Sequence, residues 1–180
     1  MTYYERNLPH WHPAGKSIFV TWRLLGSLPR TVGARIKSSG NASGKRFLVF
    51  DECLDSAKCG PLWLLDGKIA GYVRDALIRG AELGQYRLHA WVIMPNHVHV
   101  LLEPLVALQR VMSTLKGVSA RNANAELGRV GEPFWQDESF DHWIRDSSQF
   151  ERIRSYIEQN PVKAGLAKKP EDWLWSSARK

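Results

Sequence analysis

Two histidines in one apolar stretch, His97 and His99, have the type and spacing of a pair of metal ligands. Side chains at positions i and i+2 of a β-strand point to the same side of a sheet, so both imidazoles would project together while Val98 and Val100 face the other way. Two imidazoles can bind one divalent ion and leave positions free for water or a substrate oxygen. The same spacing also occurs in histidines that only pack, so the rest of the chain must decide.

A tyrosine and an asparagine one helical turn apart, Tyr156 and Asn160, would share one face of a helix. A phenol, with a reference pKa of about 10, is a poor nucleophile at neutral pH, but a divalent ion that polarises a phosphodiester would make its attack feasible. The amide oxygen of Asn160 would add a third ligand to the two imidazoles. This donor set suits Mg²⁺ or Mn²⁺ better than zinc. The combination predicts strand scission through a covalent phosphotyrosine.

Strand and helix patterns alternate along the chain. We predict strands over 17–24, 85–94 and 97–103, the last two joined by a tight turn at Pro95-Asn96. Helices are predicted over 67–83, 106–127 and 147–159, and an extended segment over 134–144. This order predicts an α+β fold, a ferredoxin-like antiparallel sheet with helices mainly on one face.

One domain is expected to span residues 1–180, with a mobile basic loop near 30–46 and a C-terminal tail over 161–180 that packs back on it. The helix over 67–83 is expected to be capped by Asp66 and stopped by Gly84. Asn160 and Pro161 are expected to end the helix over 147–159.

The charge balance favours a nucleic-acid partner. The net charge is +7 and the pI about 9.6, which argues for nucleic acid over an acidic small molecule or a membrane surface. The two cysteines, Cys53 and Cys59, form neither a four-thiolate zinc site nor a disulfide framework, which fits a reducing cytoplasm. No apolar run approaches the roughly 18 residues of a membrane span. We see no glycine-rich phosphate loop and expect no nucleotide cofactor.

Two motifs then match a known family. Residues 94–102, MPNHVHVLL, resemble the HUH motif of single-tyrosine transposases, and residues 156–166, YIEQNPVKAGL, resemble their tyrosine motif. Four further stretches resemble the REP-associated tyrosine transposase branch in particular: residues 6–12, 19–24, 134–146 and 170–177. The similarity runs in order over nearly the whole chain.

That resemblance implies an HUH endonuclease that cuts single-stranded DNA beside imperfect palindromes, which fold as hairpins in bacterial intergenic regions. Such enzymes form a 5′-phosphotyrosine linkage, leave a free 3′-OH and can rejoin strands. By position, His97 and His99 would be metal ligands, Tyr156 the nucleophile and Asn160 the third ligand, where related insertion-sequence enzymes usually have glutamine. Some relatives build the site within one subunit and others across a dimer; we favour a monomer, with a dimer left open.

The expected partner is single-stranded DNA with hairpin repeats, in the bacterial cytoplasm at the nucleoid, and no membrane. Cations would contact phosphates, and unpaired bases could stack on tryptophan. Lys116 also matches a basic position that the family places near DNA. The basic candidates are Arg6, Lys16, Arg23, Lys116, Arg121, Arg152 and Lys163, and the stacking candidates are Trp11 and Trp135.

Two other functions stay open at this point. One is a regulatory protein that binds repeat DNA and no longer cuts it. The other is a metal-dependent hydrolase that uses water as its nucleophile. A second histidine pair, His10 and His12, lies between Pro9 and Pro13. We expect it outside any strand, in a surface or DNA-facing segment and not in a metal site.

Overall fold

The computed structural model of the protein describes residues 2–5, 9–12, 15–28, 43–56 and 59–179. Its strands are β1 (Thr2–Glu5), β2 (Pro9–His12), β3 (Ile18–Arg23), β4 (Tyr86–Ile93), β5 (His97–Pro104) and β6 (Phe140–Trp143). The first two pair as an antiparallel hairpin, and the other four form an antiparallel sheet in the order β4-β5-β3-β6. The strand β5, which carries His97 and His99, is therefore an inner strand.

Four α-helices accompany the sheet: α1 (Ser43–Asp55), α2 (Gly67–Glu82), α3 (Leu108–Glu126) and α4 (Ser147–Lys163). Short 3₁₀ turns lie at Trp63–Leu65 and Pro170–Asp172. The Asp66 carboxylate accepts from the Lys68 amide and caps α2, as predicted. Asp146 caps α4 in the same way by accepting from the Gln149 amide. Within the described part of the chain, no helix is long and apolar enough to cross a membrane.

The two faces of the sheet pack against different helices. Ile18, Val20 and Trp22 of β3 point to the face covered by α2 and α3, where the larger hydrophobic cluster lies. Phe19 points to the opposite face, where Ile157 of α4 and Phe47 of α1 pack. The α+β class and the antiparallel sheet are confirmed. The helices were expected mainly on one face of the sheet. The helices α2 and α3 cover that face, and α1 and α4 pack against the other face.

The turn that leads into β5 is the predicted one. Ile93 pairs with Val98, and the Met94 amide donates to the His97 carbonyl at 2.8 Å. Pro95 and Asn96 are left as a two-residue loop, a connection that fixes the register of a hairpin. This register places both histidine side chains on the face of α1 and α4.

The structure corrects several predicted boundaries. Residues 43–46, assigned to the basic loop, begin α1; the rest of that loop, 30–42, lies outside the described residues. The helix expected to end at residue 159 continues to Lys163, with buried Pro161 inside its last turn. The extended segment 134–144 pairs as a strand only over Phe140–Trp143. His10 and His12 lie in β2, so the expectation that they fall outside any strand was wrong.

Candidate metal centre and tyrosine

His97 and His99 meet on one face of β5, as their spacing predicts. Both side chains are fully buried, and their Nε2 atoms lie 3.0 Å apart. Across the ladder, Arg23 is opposite His97 and Thr21 is opposite His99. The sheet register therefore decides which polar side chains of β3 reach the histidine pair.

Hydrogen bonds at the two Nδ1 atoms orient the rings. Asn96 donates its amide nitrogen to the Leu54 carbonyl at 3.1 Å, so its Oδ1, 2.7 Å from His97 Nδ1, is left to accept from that nitrogen. Thr21 Oγ1 lies 2.7 Å from His99 Nδ1. Outer hydrogen bonds of this kind hold metal-binding histidines in position and set which nitrogen is free. Both Nε2 atoms consequently face the same small space.

His97 is suited to bind a cation because it stays neutral. Burial and, to a smaller extent, the neighbouring His99 lower the pKa of His97 to about 3, while Asp51 opposes this shift. Since Nδ1 of the neutral ring carries the proton donated to Asn96, Nε2 keeps a lone pair. A neutral imidazole with a free Nε2 is the form that coordinates metals.

Two carboxylates of α1 approach the histidines from the side opposite β5. Asp51 Oδ1 lies 3.1 Å from His99 Nε2, and Asp55 Oδ1 lies 3.6 Å from His97 Nε2. Ligand atoms of Asp51 and both histidines all lie within 4.8 Å of one another, so this buried group could hold a metal ion.

The two carboxylates differ electrostatically. Burial alone would raise the pKa of Asp51, but the two histidines and Lys163 outweigh it and this pKa is lowered. Burial, followed by the neighbouring Asp51, raises the pKa of Asp55 to about 7. Asp51 is therefore the carboxylate that carries its negative charge most readily beside the histidines.

Tyr156 of α4 lies beside the histidine pair of its own chain. Its ring centroid is 5.8 Å from that of His99, and Phe19 and Phe47 pack edge-on against it. The Lys163 ammonium lies 4.4 Å from the ring centroid. The tyrosine hydroxyl is buried and has no hydrogen-bond partner among the described residues. The Tyr156 hydroxyl, the Lys163 ammonium and the histidine pair therefore lie close together.

Asn160, one turn further along α4, is fully buried. Neither its Oδ1 nor its Nδ2 has a hydrogen-bond partner in the part of the chain that the structure describes. Leaving such a group unpaired costs about 1–3 kcal/mol, so this amide is available to a partner outside the described residues. Its assignment as a third metal ligand stays a prediction.

The proposed DNA-binding residues are spread over several elements. Arg6 lies outside the described residues, and Trp11 is described only by its backbone in β2. Lys16 and Arg121 are exposed, and exposed Arg152 donates to Ser148 Oγ. Arg23 is half-buried on the histidine face, where burial lowers its pKa, and it donates to Ser27 Oγ at 3.3 Å. Arg23 and Lys163, which lies near Tyr156, are therefore the described candidates on the histidine face.

Two of the candidates serve the packing of the fold. The Lys116 ammonium donates to the carbonyls of Gln136 and Asp137 at 3.0 and 2.9 Å, so it ties α3 to the segment before β6. Trp135 is buried, and its indole donates to Ser119 Oγ at 3.0 Å. The expectation that Trp135 offers a stacking platform was wrong, because its ring belongs to the core.

Sequence reasoning missed the contribution of α1. Its apolar residues 47–50 are consecutive and do not follow a helical period, so no amphipathic pattern marks the helix. Asp51 and Asp55, four residues apart, would have shared a helical face had the helix been recognised. Thr21 and Asn96 were missed as well, since only the strand register and the turn bring them to the rings.

Comparison with known proteins agrees with this geometry. Residues 63–160, which include the histidine pair, Tyr156 and Asn160, match the family described as "Transposase IS200 like". The chain belongs to the IS200-like transposase family. This match begins after α1, so Asp51 and Asp55 lie outside it.

Named relatives point to one branch of this transposase family. The chain is 27% identical over 106 residues to the REP-associated tyrosine transposase of Escherichia coli (strain K12), covering 58% of this chain and 62% of that protein. It is 26% identical over 115 residues to a putative REP-associated tyrosine transposase of Haemophilus influenzae (strain ATCC 51907 / DSM 11121 / KW20 / Rd), covering 58% of this chain and 65% of that protein. The matches thus span less than two thirds of either relative.

A solved structure has the same fold. A REP-associated tyrosine transposase bound to a REP hairpin superposes with a TM-score of 0.62 at 20% identity, covering 98% of this chain and 82% of that one. The likeness supports the α+β antiparallel architecture described above.

Proposed function

We propose that the protein is a metal-dependent, single-stranded DNA endonuclease and strand transferase that acts at hairpin-forming repeats through a 5′-phosphotyrosine. The observation that carries this proposal is the position of Tyr156, whose ring lies 5.8 Å from the ring of His99 in the same chain. Two imidazoles whose Nε2 atoms lie 3.0 Å apart beside this tyrosine form the kind of site that a metal-dependent phosphodiester reaction requires. Membership of the transposase family supports the same reaction class.

The site residues fit a divalent ion. Converging nitrogen atoms and buried amide and carboxylate oxygens without hydrogen-bond partners are the donors that Mg²⁺ or Mn²⁺ would satisfy. In this proposal His97, His99 and Asn160 hold the ion. When bound, it would polarise the scissile phosphodiester and offset charge that develops in the transition state.

The chain's own groups would then carry out a balanced exchange of bonds. The Tyr156 oxygen loses its proton and attacks phosphorus, while the bond from phosphorus to the 3′-oxygen breaks. The 3′-oxygen takes up a proton and leaves as a 3′-OH, and the phosphate stays on Tyr156. The Lys163 ammonium, 4.4 Å from the tyrosine ring centroid, favours the negative charge of the phenolate. Attack by a 3′-OH on the phosphotyrosine reverses these steps and rejoins a strand.

Charge and likeness support a DNA hairpin as the partner. The net charge of +7 favours binding to a phosphate backbone, and the structurally similar transposase is bound to a REP hairpin. We propose that exposed Lys16, Arg121 and Arg152 contact phosphates. Because Tyr156 lies beside the histidines of its own chain, a monomer would contain a complete site. A DNA substrate of this kind would place the protein at the nucleoid of a bacterial cytoplasm.

The test is detection of a covalent protein–DNA adduct on a denaturing gel. Labelled single-stranded hairpin repeats from the neighbourhood of the gene would be incubated with Mg²⁺ or Mn²⁺ and with wild type, Tyr156→Phe or His97→Ala. We expect a metal-dependent adduct with wild type and none with either variant. Tyr72→Phe, a half-buried tyrosine on α2, is the matched control and should leave the adduct unchanged.

The two alternatives give different outcomes. Cleavage without an adduct would assign the site to a metal-dependent hydrolase that uses water. Specific binding of a repeat with no cleavage in either metal would favour a regulatory protein that binds without cutting. Both outcomes would contradict the proposed role of Tyr156.

A further inference from the structure

We infer that Asp51 is a ligand of the same ion, so that metal binding fastens the helix α1 over the catalytic face of the sheet. The inference rests on the proposed metal site and adds a fourth, anionic ligand to His97, His99 and Asn160, from outside the region matched by the family. It concerns a residue that neither the HUH motif nor the tyrosine motif contains.

The distances at the site match those of adjacent ligands on one ion. Two ligands at right angles, each about 2.1 Å from an octahedral ion, lie about 3.0 Å apart. His97 Nε2 and His99 Nε2 are 3.0 Å apart, and His99 Nε2 and Asp51 Oδ1 are 3.1 Å apart. Both distances are therefore compatible with adjacent ligands on one divalent ion, and all three ligand atoms lie within 4.8 Å of one another.

The Asp51 carboxylate is buried against the histidine pair. Its side chain is 5% exposed, and its Oδ1 lies 3.1 Å from His99 Nε2. Apart from this contact, Oδ1 has no hydrogen-bond partner among the described residues. A buried carboxylate is retained when it is paired or when it coordinates a metal. An ion between Asp51 and the two imidazoles would replace the contact with His99 and bind all three side chains.

Asp55 is the weaker candidate of the two carboxylates. Its side chain is 20% exposed, and its nearest histidine contact is longer, at 3.6 Å from His97 Nε2. Asp55 also follows Asp51 by one helical turn, so the two carboxylates share a face and repel each other when both are charged. A cation at Asp51 would relieve this repulsion. We therefore place Asp51 on the ion and Asp55 next to it.

The remaining contacts of α1 explain why a ligand bond would matter for its docking. Phe47 packs against Phe140 with ring centroids 4.5 Å apart, and against Phe19 at 5.2 Å. The Leu54 carbonyl accepts from Asn96, the residue before His97. A bond from Asp51 to the ion would join this helix to β5. Any ligand that binds only the docked form stabilises that form by mass action.

The test measures metal binding and helix protection in the full chain. Mn²⁺ affinity would be measured by calorimetry for wild type, Asp51→Asn, Asp55→Asn, His97→Ala and Glu52→Gln. Glu52 is exposed on α1 next to Asp51, so Glu52→Gln removes a like charge without touching the site. We expect Asp51→Asn to weaken Mn²⁺ binding by at least roughly tenfold and Glu52→Gln by less than about twofold, since loss even of an outer partner typically weakens a site 10–100-fold.

Hydrogen exchange over α1 supplies a second readout. In wild type at free Mn²⁺ about a hundred times its Kd, exchange of the α1 amides should slow by up to about a hundredfold. In Asp51→Asn, a Mn²⁺ concentration that saturates the remaining ligands should leave the α1 amides exchanging at the same rate as without metal. Circular dichroism would confirm that each variant is folded.

Several outcomes would overturn the inference and separate it from the proposed function. Mn²⁺ binding that His97→Ala abolishes but Asp51→Asn leaves unchanged would refute the role of Asp51 and keep the histidine site. A larger loss in Asp55→Asn than in Asp51→Asn would also refute it. Binding unaffected by His97→Ala, or no binding in wild type, would contradict the metal site on which both proposals depend.

Discussion

The two faces of the central sheet are built from the same strands and differ in what they bury. One face buries Val98 and Val100 against α2 and α3 in a continuous hydrophobic cluster. The other buries His97 and His99 under α1 and α4. The first face has the composition of a core that stabilises a fold. The second buries polar groups, an arrangement that destabilises a protein unless hydrogen bonds or a ligand satisfy them.

The alternation within β5 shows how closely the two tasks are joined. His97, Val98, His99 and Val100 are consecutive, and each neighbour points to the opposite face. A register shift of one residue would bury the histidines in the hydrophobic cluster and turn the valines to the site. The packing of the α2 and α3 face therefore secures the register on which the site depends. Mutations on the two faces should accordingly affect different properties.

The largest expected effect is on the histidine face. His99→Ala should reduce metal-dependent adduct formation by more than about a thousandfold, because it would remove a proposed ligand of the ion next to Tyr156. The rate would be measured on denaturing gels with a labelled hairpin. Recovery of full activity at high Mn²⁺ would mean that His99 contributes only to metal affinity and not to the reaction, and would contradict the expected loss.

A smaller loss is expected from the hydrogen bond behind His99. Thr21→Val keeps the side-chain shape and removes the hydroxyl that lies 2.7 Å from His99 Nδ1. We expect Mn²⁺ affinity to fall by roughly 10–100-fold, as for other outer partners of metal-binding histidines. Calorimetric titration measures it. An unchanged Kd would show that the ring is positioned by packing and not by this hydrogen bond.

The opposite face should respond in stability. Val98→Ala, at a fully buried residue, should lower the free energy of unfolding by about 2 kcal/mol, the transfer and cavity cost of two buried methyl groups. Urea denaturation gives the value. Metal affinity of the folded variant should stay within about twofold of wild type, and a large loss of affinity would mean that the two faces cannot be separated.

Lys163 allows a finer test of the catalytic face. Lys163→Met removes the ammonium beside the tyrosine ring and should slow adduct formation by about threefold to thirtyfold, in line with an interaction of roughly 0.5–2 kcal/mol. Lys168→Met removes an exposed cation of the same tail and is the matched control. Equal slowing in both variants would attribute the effect to net charge and DNA binding.

The smallest effect concerns a titratable group on the α2 and α3 face. The Tyr86 hydroxyl donates to the Leu77 carbonyl at 2.6 Å, and burial raises the pKa of Tyr86. Because the folded-state pKa lies above the unfolded value of about 10, this tyrosine contributes stability below pH ~10 that is lost as pH rises further. Tyr86→Phe should cost about 1 kcal/mol near pH 7 and flatten the alkaline decline. The free energy of unfolding would be measured from denaturation curves at several alkaline pH values. If Tyr86→Phe loses stability with rising pH as steeply as wild type, another group causes the alkaline decline.

Local patterns were enough to predict much of the frame and the centre of the site. The period-2 pattern and the Pro95-Asn96 turn predicted the hairpin that carries His97 and His99. The one-turn spacing predicted the shared helical face of Tyr156 and Asn160. These features depend on residues close together in the chain, where hydrogen-bonding periods alone decide geometry.

The missed features depend on long-range packing. Asp51 lies 48 residues before His99 in the sequence and reaches it only because α1 packs against the sheet. No local sequence pattern encodes that contact. Lys116 and Trp135 are residue types that often bind DNA, but here their side chains form hydrogen bonds within the fold. Asn160 and Pro161 predict a helix end by local tendency, but α4 continues through them to Lys163, where Asn160 and Pro161 are buried.

The central claim is that Tyr156 is the nucleophile served by the histidine face. The most direct test is mass spectrometric mapping of the protein–DNA adduct formed by wild type with a hairpin repeat and Mn²⁺. The account predicts that, after proteolysis and nuclease digestion, the nucleotide-bearing peptide contains Tyr156 and that the phosphate is attached to that residue. Attachment to any other residue would contradict the account.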